Sequence, residues 1–455
     1  MYINRRKFII GSTAAAIYGY LGKKKVQSSP LDYEPLKLET RIISALLTEK
    51  NHTQGIMVYG NNNIPPVIKM QRGKKFHARL YNGIGEPTTI HWHGLRIPNN
   101  MDGVPFLTQS YVYPNDVFDY TFIPPDGGTF WCHPHGNALT QMDRGLTAVV
   151  VVEDPKDPKF DEEIILNIRD WHLDKNAQFI EFNANKSNEY SSLEAIQLTN
   201  WKKEPQYDIP TNGFTRVRIV STDTKRIIRL KLKGAQAKVI ALDGYPIKED
   251  FVLEHLMIAP GQRIDLAMLI PNEGDIAQLW DIGGKKPSKI SSFRAIGSSL
   301  KRHLNDLGPL TPNQLPEPDL SSLKEISFTL ASIEEKNLQN NNIGNSSRNS
   351  FWGRNENPWG NDLSPLAEMK IGKTYVLNID NPTPQAHPLH LHGLLLKPIY
   401  SSIQQVKPYF SDTYLILPDE KVRLAVVADK LGDWVFHCDI IEQQKSGMSS
   451  YIRVA

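Results

Sequence analysis

The chain has 455 residues, 40% of them hydrophobic, and carries 52 Lys and Arg against 49 Asp and Glu, a net charge of +3. That length accommodates about three domains of ~150 residues, with enough apolar sequence for a core in each. The near balance of charge argues neither for nor against nucleic acid; the basic runs at Lys23-Lys24-Lys25 and Lys202-Lys203 are short and read as solvated faces, and no nucleic-acid partner is expected.

The first residues, Asn4-Arg5-Arg6-Lys7-Phe8-Ile9-Ile10 and then the small and apolar run Gly11 to Tyr20, resemble a twin-arginine export signal occupying 1–30. The run falls short of the ~20 apolar residues of a membrane span, and Lys23 to Lys25 close it. No clear small-x-small cleavage site follows, so a retained signal would leave the chain anchored. The expected compartment is the bacterial periplasm, reached in the folded state through the twin-arginine export machinery.

From about Leu36 the pattern is that of strands. Phe76, Ala78 and Leu80 alternate with polar neighbours, as do Phe118, Tyr120 and Phe122, and the apolar run Ala148 to Val152 closes a first unit, 36–153. Asp154-Pro155-Lys156-Asp157-Pro158 reads as a linker. In the second unit, 159–305, Ile228, Leu230 and Leu232 face opposite to Arg229, Lys231 and Lys233; it has no histidine pair and is expected to be scaffold. The four prolines of Pro309 to Pro318 mark a second linker. The third unit, 320–455, carries an Asn/Ser-rich surface excursion at Asn337 to Ser350 and alternating segments at Tyr375-Leu377-Ile379 and Val422-Leu424-Val426. Frequent Gly, Pro and Asn punctuation without long helical periodicity predicts an all-β chain of sandwiches.

The units look like copies. Pro114-Asn115-Asp116, Pro260-Gly261-Gln262 and Pro418-Asp419-Glu420 each precede an alternating strand. The first and third units match further: each has an H-x-H-Gly (His91 to Gly94; His390 to Gly393), then that turn, then Gly-x-x-x-x-His (Gly128 to His133; Gly432 to His437). Aligning them pairs His133 with His437 and His135 with Asp439.

Eight of the thirteen histidines stand in four clusters: His91-Trp92-His93-Gly94, His133-Pro134-His135-Gly136, His387-Pro388-Leu389-His390-Leu391-His392-Gly393, and His437 beside Cys438. Two imidazoles at spacing two share one face of a strand. Cysteine beside histidine, with Met448 ten positions on, offers soft sulfur, imidazole and a weak thioether, the donors of a copper electron-transfer site. The five other histidines, His52, His77, His172, His255 and His303, read as ordinary surface or core residues. Cys132 and Cys438 are the only cysteines; a disulfide between them is the alternative use in an oxidising compartment, and it would consume the thiolate.

As a set, in this order, the clusters resemble the multicopper oxidases, a likeness covering essentially the whole exported chain. The resemblance implies three cupredoxin-like Greek-key β-sandwich domains. It also implies up to four copper ions, a type 1 centre that takes electrons from a small-molecule reductant, phenol-like or a metal ion, and a type 2 and type 3 cluster that reduces O2 to water. His387, Cys438 and Met448 match the type 1 ligands, His91 and His390 type 2, and His93, His133, His135, His392 and His437 type 3. The Cys438 thiolate thereby gives a covalent path for electrons between the centres, while electron entry in the family commonly runs through the second type 1 histidine. Asp102 matches a carboxylate beside the cluster that helps deliver protons, its plainer alternative being an Asp-Gly turn with Gly103. In the stretch His437-Cys438-Asp439, strand alternation would point Cys438 one way and both neighbours the other.

Two positions depart from the family pattern H-C-H-x-x-x-H-x-x-x-x-M: Asp439 stands for the sixth type 3 histidine and Gln443 for the second type 1 histidine. Ten of the twelve ligand positions remain. The alternative is a family member without turnover, a copper-binding or copper-depleted cell-envelope scaffold. A zinc hydrolase built on the H-x-H pairs leaves Cys438 and Met448 unexplained.

Overall fold

Alternating apolar residues build six sheets, paired face to face, in the computed structural model of the chain. It describes residues 34–49, 51–60, 65–180, 195–253, 256–330, 364–445 and 447–455; the export motif, His255 and the Asn/Ser-rich excursion lie outside these. Two four-stranded sheets fall within 36–153, a six- and a five-stranded sheet within 162–296, and a four- and a five-stranded sheet within 323–454. Each pair encloses its own apolar core, one including Trp92, Tyr120 and Phe130, one Ile219, Leu266 and Phe293, and one Leu391, Leu424 and Phe436. Burying each such side chain contributes about 1.5–3 kcal/mol.

The repetition seen in the sequence recurs in topology. The opening strand of each sandwich runs parallel to a later one, Leu36–Ala45 beside Phe76–Asn82, Glu162–Trp171 beside Thr215–Ser221, and Leu323–Thr329 beside Thr374–Asn381. Its opposite sheet holds a second parallel pair. The three Pro turns share one geometry as well. Asn115, Gly261 and Asp419 have positive φ (68°, 84° and 57°), and Asp116, Gln262 and Glu420 each donate a backbone N–H to the carbonyl three residues earlier. Proline at the second position and a left-handed third residue define a type II turn.

The linker at 309–318 is extended and fastened to earlier parts of the chain: Arg72 donates to the Pro312 carbonyl, Arg96 to that of Gln314, and Asn313 Oδ1 accepts the Gly127 N–H. Cys132 and Cys438 occupy different cores and both are free thiols, so the disulfide does not form.

Candidate metal centre

Strand alternation decides which side chains reach the seam between the first and third sandwiches. In His91–His93, Trp92 enters the first core, which leaves both imidazoles on the other face. The neighbouring strand Gly128–His133 pairs His91 with His133 and puts Cys132 in that core. The third sandwich repeats this, with Leu391 and Cys438 inward and His390 opposite His437 across the strand pair. Asp439 lies one residue past the end of the strand, in the bend that follows, its N–H donated to the Pro388 carbonyl, and it is buried on the histidine side, opposite Cys438, as the alternation predicts.

Seven imidazoles from the two sandwiches meet there. His91 Nε2 lies 3.4 Å from His390 Nε2, and His392 Nε2 lies 3.0 Å from His437 Nε2. Two sets, His91 with His93 and His390, and His135 with His392 and His437, bring one ligand atom each within 4.8 Å of one another. Tautomers follow from the partners, since a carbonyl or carboxylate can only accept. Nδ1 of His91, His133, His390 and His437 donates to the carbonyls of Asp102, Pro134, Asp412 and Cys438, and that of His392 to Asp102 Oδ2 at 2.8 Å. Each of these five rings therefore presents a bare Nε2. His93 is turned the other way: its Nε2 faces Asp412 Oδ1 at 3.1 Å, leaving Nδ1 bare.

His93 Nδ1, His133 Nε2 and His135 Nε2 are buried with no hydrogen-bond partner among the described residues. Buried nitrogens normally find partners; unpartnered lone pairs converging in one place fit a set of metal ions. Burial first, and then the neighbouring imidazoles, hold His93, His133, His135, His392 and His437 well below the ordinary histidine range, so they are neutral and ready to ligate.

Asp102 caps the short 3-10 turn Asn99–Met101 and is buried, with Oδ1 3.2 Å from His91 Nδ1 in addition to its bond with His392. The turn reading holds too: Gly103 has φ 83°, and a Cβ there would meet the Ile90 carbonyl oxygen at 1.9 Å. Asp439 accepts a long hydrogen bond from Thr413 Oγ1 at 3.4 Å, and burial, then Asp412, push its carboxyl well above the usual range. It belongs to none of the three-ligand groups found among the described residues.

A second group of candidate ligands adjoins the imidazoles. Met448 and Cys438 are fully buried and joined through the Cys438 N–H to the Met448 carbonyl, while His387 is held by Thr383, whose hydroxyl lies 2.8 Å from Nε2. Burial brings His387 down to about 4, its bond to Gln443 opposing this, and burial pushes the Cys438 thiol well up. Adjacency in the chain links this centre to the imidazole cluster through the Cys438–His437 peptide.

Sequence reasoning missed Asp412, Thr413 and Arg263. Asp412 and Thr413 reach His93, and Arg263 reaches Asp412, only across sandwiches, so no spacing in the chain marks those contacts. One signal was present: Arg263 directly follows the repeated turn of the second unit. That unit is more than scaffold, for Arg263 binds Asp412, and a Cβ on Gly261 would meet Asp439 Oδ2 at 2.2 Å.

Two family patterns, each described as multicopper oxidase, match residues 44–157 and 330–455. A crystal structure of a multicopper oxidase from Pseudomonas thermotolerans is 31% identical, covers 93% of this chain and 99% of that one, and superposes with a TM-score of 0.80. One from Pseudomonas parafulva is 29% identical, covers 92% and 100%, and has a TM-score of 0.79. A multicopper oxidase of Mycobacterium tuberculosis is 27% identical over 87% of this chain and 82% of its own length.

Proposed function

Since the chain belongs to the multicopper oxidases, oxidoreductases that use O2, we propose that it couples oxidation of a small reductant, phenol-like or a metal ion, to reduction of dioxygen to water at two adjoining copper centres. Cys438, His387 and Met448, with Gln443 in the remaining slot, would hold one ion; His91, His93, His133, His135, His390, His392 and His437, with Asp439 near them, would hold three. Copper held by this thiolate and these imidazoles would supply one-electron redox chemistry between a reductant and O2.

The chain's own residues do the rest. Burial excludes water from the imidazoles, and their acceptors hold each ring in one tautomer. Asp102 keeps protons on His91 and His392 at Nδ1, and its carboxylate is the nearest acidic group placed to pass a proton inward. The short covalent route between Cys438 and His437 joins the centres. The observation that carries this reading is the pair of facing bare nitrogens, His91 with His390 and His392 with His437. Neutral lone pairs so close repel one another unless something positive lies between or beside them.

Copper counting on purified, copper-loaded protein tests it, together with the visible spectrum and oxygen uptake on adding a phenol or a reduced metal ion. Thiolate-to-copper absorption, copper bound by both centres and oxygen consumption are expected; colourless protein with little copper would instead favour the scaffold alternative. Export to the periplasm is proposed alongside, supported by Arg5-Arg6 and the apolar run after them. Loss of export on changing both arginines to lysine would bear it out.

A further inference from the structure

Arg263 stands at the point where all three sandwiches meet. It opens the strand Arg263–Leu269 just after the left-handed turn at Gly261, and it is fully buried. A guanidinium has five N–H donors, and here all five are used. Nε donates to the Thr129 carbonyl at 3.2 Å in the first sandwich. Nη1 donates to the Gly261 carbonyl at 2.8 Å and to Asp412 Oδ1 at 2.8 Å; Nη2 donates to the Asp243 carbonyl and to Asp412 Oδ2, both at 2.6 Å. The pair with Asp412 is the bidentate arrangement that a planar guanidinium favours.

Asp412 in turn faces two cluster imidazoles of opposite orientation. Its Oδ1 lies 3.1 Å from His93 Nε2 and 3.3 Å from His390 Nδ1, while Thr413 Oγ1 donates to the same oxygen at 2.9 Å. Asp412 is thus the counterpart, on the other side of the cluster, of Asp102 with His91 and His392. The glycine of the first H-x-H-Gly belongs to this arrangement: a Cβ on Gly94 would lie 2.3 Å from Arg263 Nη2 and 2.5 Å from Asp412 Oδ2.

We propose that Arg263 is a positioning residue of the ligand-free second sandwich that, by clamping the Asp412 carboxylate, holds His93 as the Nε2–H tautomer, so that its Nδ1 lone pair faces the copper cluster; His390, whose Nδ1–H goes to the Asp412 backbone carbonyl at 2.9 Å, is fixed without that carboxylate. The inference rests on the oxidase reading for its purpose, though not for its geometry. His93 is the ring that most needs this: its Nε2 faces Asp412 Oδ1 and, at 3.2 Å, Thr413 Oγ1, whose own proton goes to that carboxylate, and without Asp412 the hydroxyl is free to donate to Nε2 while the ring proton moves to Nδ1 and closes the ligand atom. Outer partners of ligating imidazoles commonly set affinity by about 10 to 100-fold.

Three variants of the full chain decide it: Asp412→Leu, which removes both carboxylate acceptors where asparagine would keep an amide oxygen facing His93, Arg263→Met, and Arg216→Met as the comparator. Arg216 is a buried arginine of the same sandwich whose side-chain bonds go to the Asp265 and Asp157 carboxylates. Imidazole nitrogen NMR of the copper-free protein should show His93 protonated at Nε2 in the unaltered chain and mixed or reversed in Asp412→Leu. Cluster copper affinity should fall at least about tenfold in Asp412→Leu and Arg263→Met, with thiolate-to-copper absorption at Cys438 retained, and should hold in Arg216→Met. The proposal is overturned if His93 keeps its tautomer in Asp412→Leu, or if Arg216→Met loses cluster copper as fully as Arg263→Met. Should either single variant not fold, the double variant Arg263→Met with Asp412→Leu, which removes both charges of the buried pair, decides by the same two readouts. An unaltered chain that takes up no cluster copper would sink the oxidase reading, and the NMR result would still judge the tautomer.

Discussion

The side-chain oxygen of Gln443 accepts a hydrogen bond from His387 Nδ1 at 2.8 Å and, from the same position, another from Cys438 Sγ at 3.0 Å. Imidazole and thiol therefore converge on the amide where the family pattern has a second histidine. The amide nitrogen is turned away and donates to Gln385 Oε1 at 3.0 Å. Thr383 can donate to or accept from His387 Nε2, so the ring can change tautomer and release Nδ1 as a ligand. An amide oxygen is a harder and weaker donor than imidazole for a thiolate-bound copper.

Gln443→His is accordingly expected to tighten copper binding at Cys438 by at least about tenfold, since loss of even an outer partner costs about that much. Copper titration followed by thiolate-to-copper absorption measures this. Equal affinity and colour in both proteins would show that Gln443 does not occupy that ligand slot.

Cys438→Ser removes the only thiol at this centre. Oxidation of any donor should fall to background while the circular dichroism spectrum is retained, because serine keeps the shape of a side chain enclosed by Met448 and Leu389. Oxidase activity equal to that of the unaltered chain would refute the electron route through Cys438.

Asp102→Asn keeps the turn with Gly103 but replaces an acceptor of two imidazoles. Turnover should drop by about 10 to 100-fold, with the absorption at Cys438 unchanged since that centre does not touch Asp102. Oxygen uptake under saturating donor tests the first part; full activity would leave Asp102 as a turn residue alone.

Stability of the copper-free protein should fall with acid. His93, His133, His135, His392 and His437 are held well below the ordinary value of 6.5, and His387 is brought to about 4. Above pH 6.5 folded and unfolded chains are alike in leaving these rings neutral. As pH falls below that, the unfolded chain takes up protons that the folded one refuses, and each ring costs up to about 1.4 kcal/mol per pH unit until its folded pKa is reached. Urea midpoints that stay level between neutral pH and the acid range would contradict the burial of neutral imidazoles.

Much of this protein could be read from residue order alone. Alternation of period two marked the strands at Phe76–Asn82, Val117–Phe122 and Glu420–Val427, because a half-buried strand must turn every second residue to the core. The same rule explains why H-x-H pairs serve as ligands and why the intervening Trp92 and Leu391 are apolar. Repeated Pro turns disclosed the internal copies, since only a few residue types tolerate a left-handed third position. Tertiary structure alone decided the rest. Which ring nitrogen is bare depends, for His93 and His392, on the carboxylates of Asp412 and Asp102 hundreds of residues away, and Arg263 acquires its place only where three sandwiches close on one another. Local backbone geometry imprints a period on the chain, whereas a hydrogen bond across a domain seam leaves no spacing behind it.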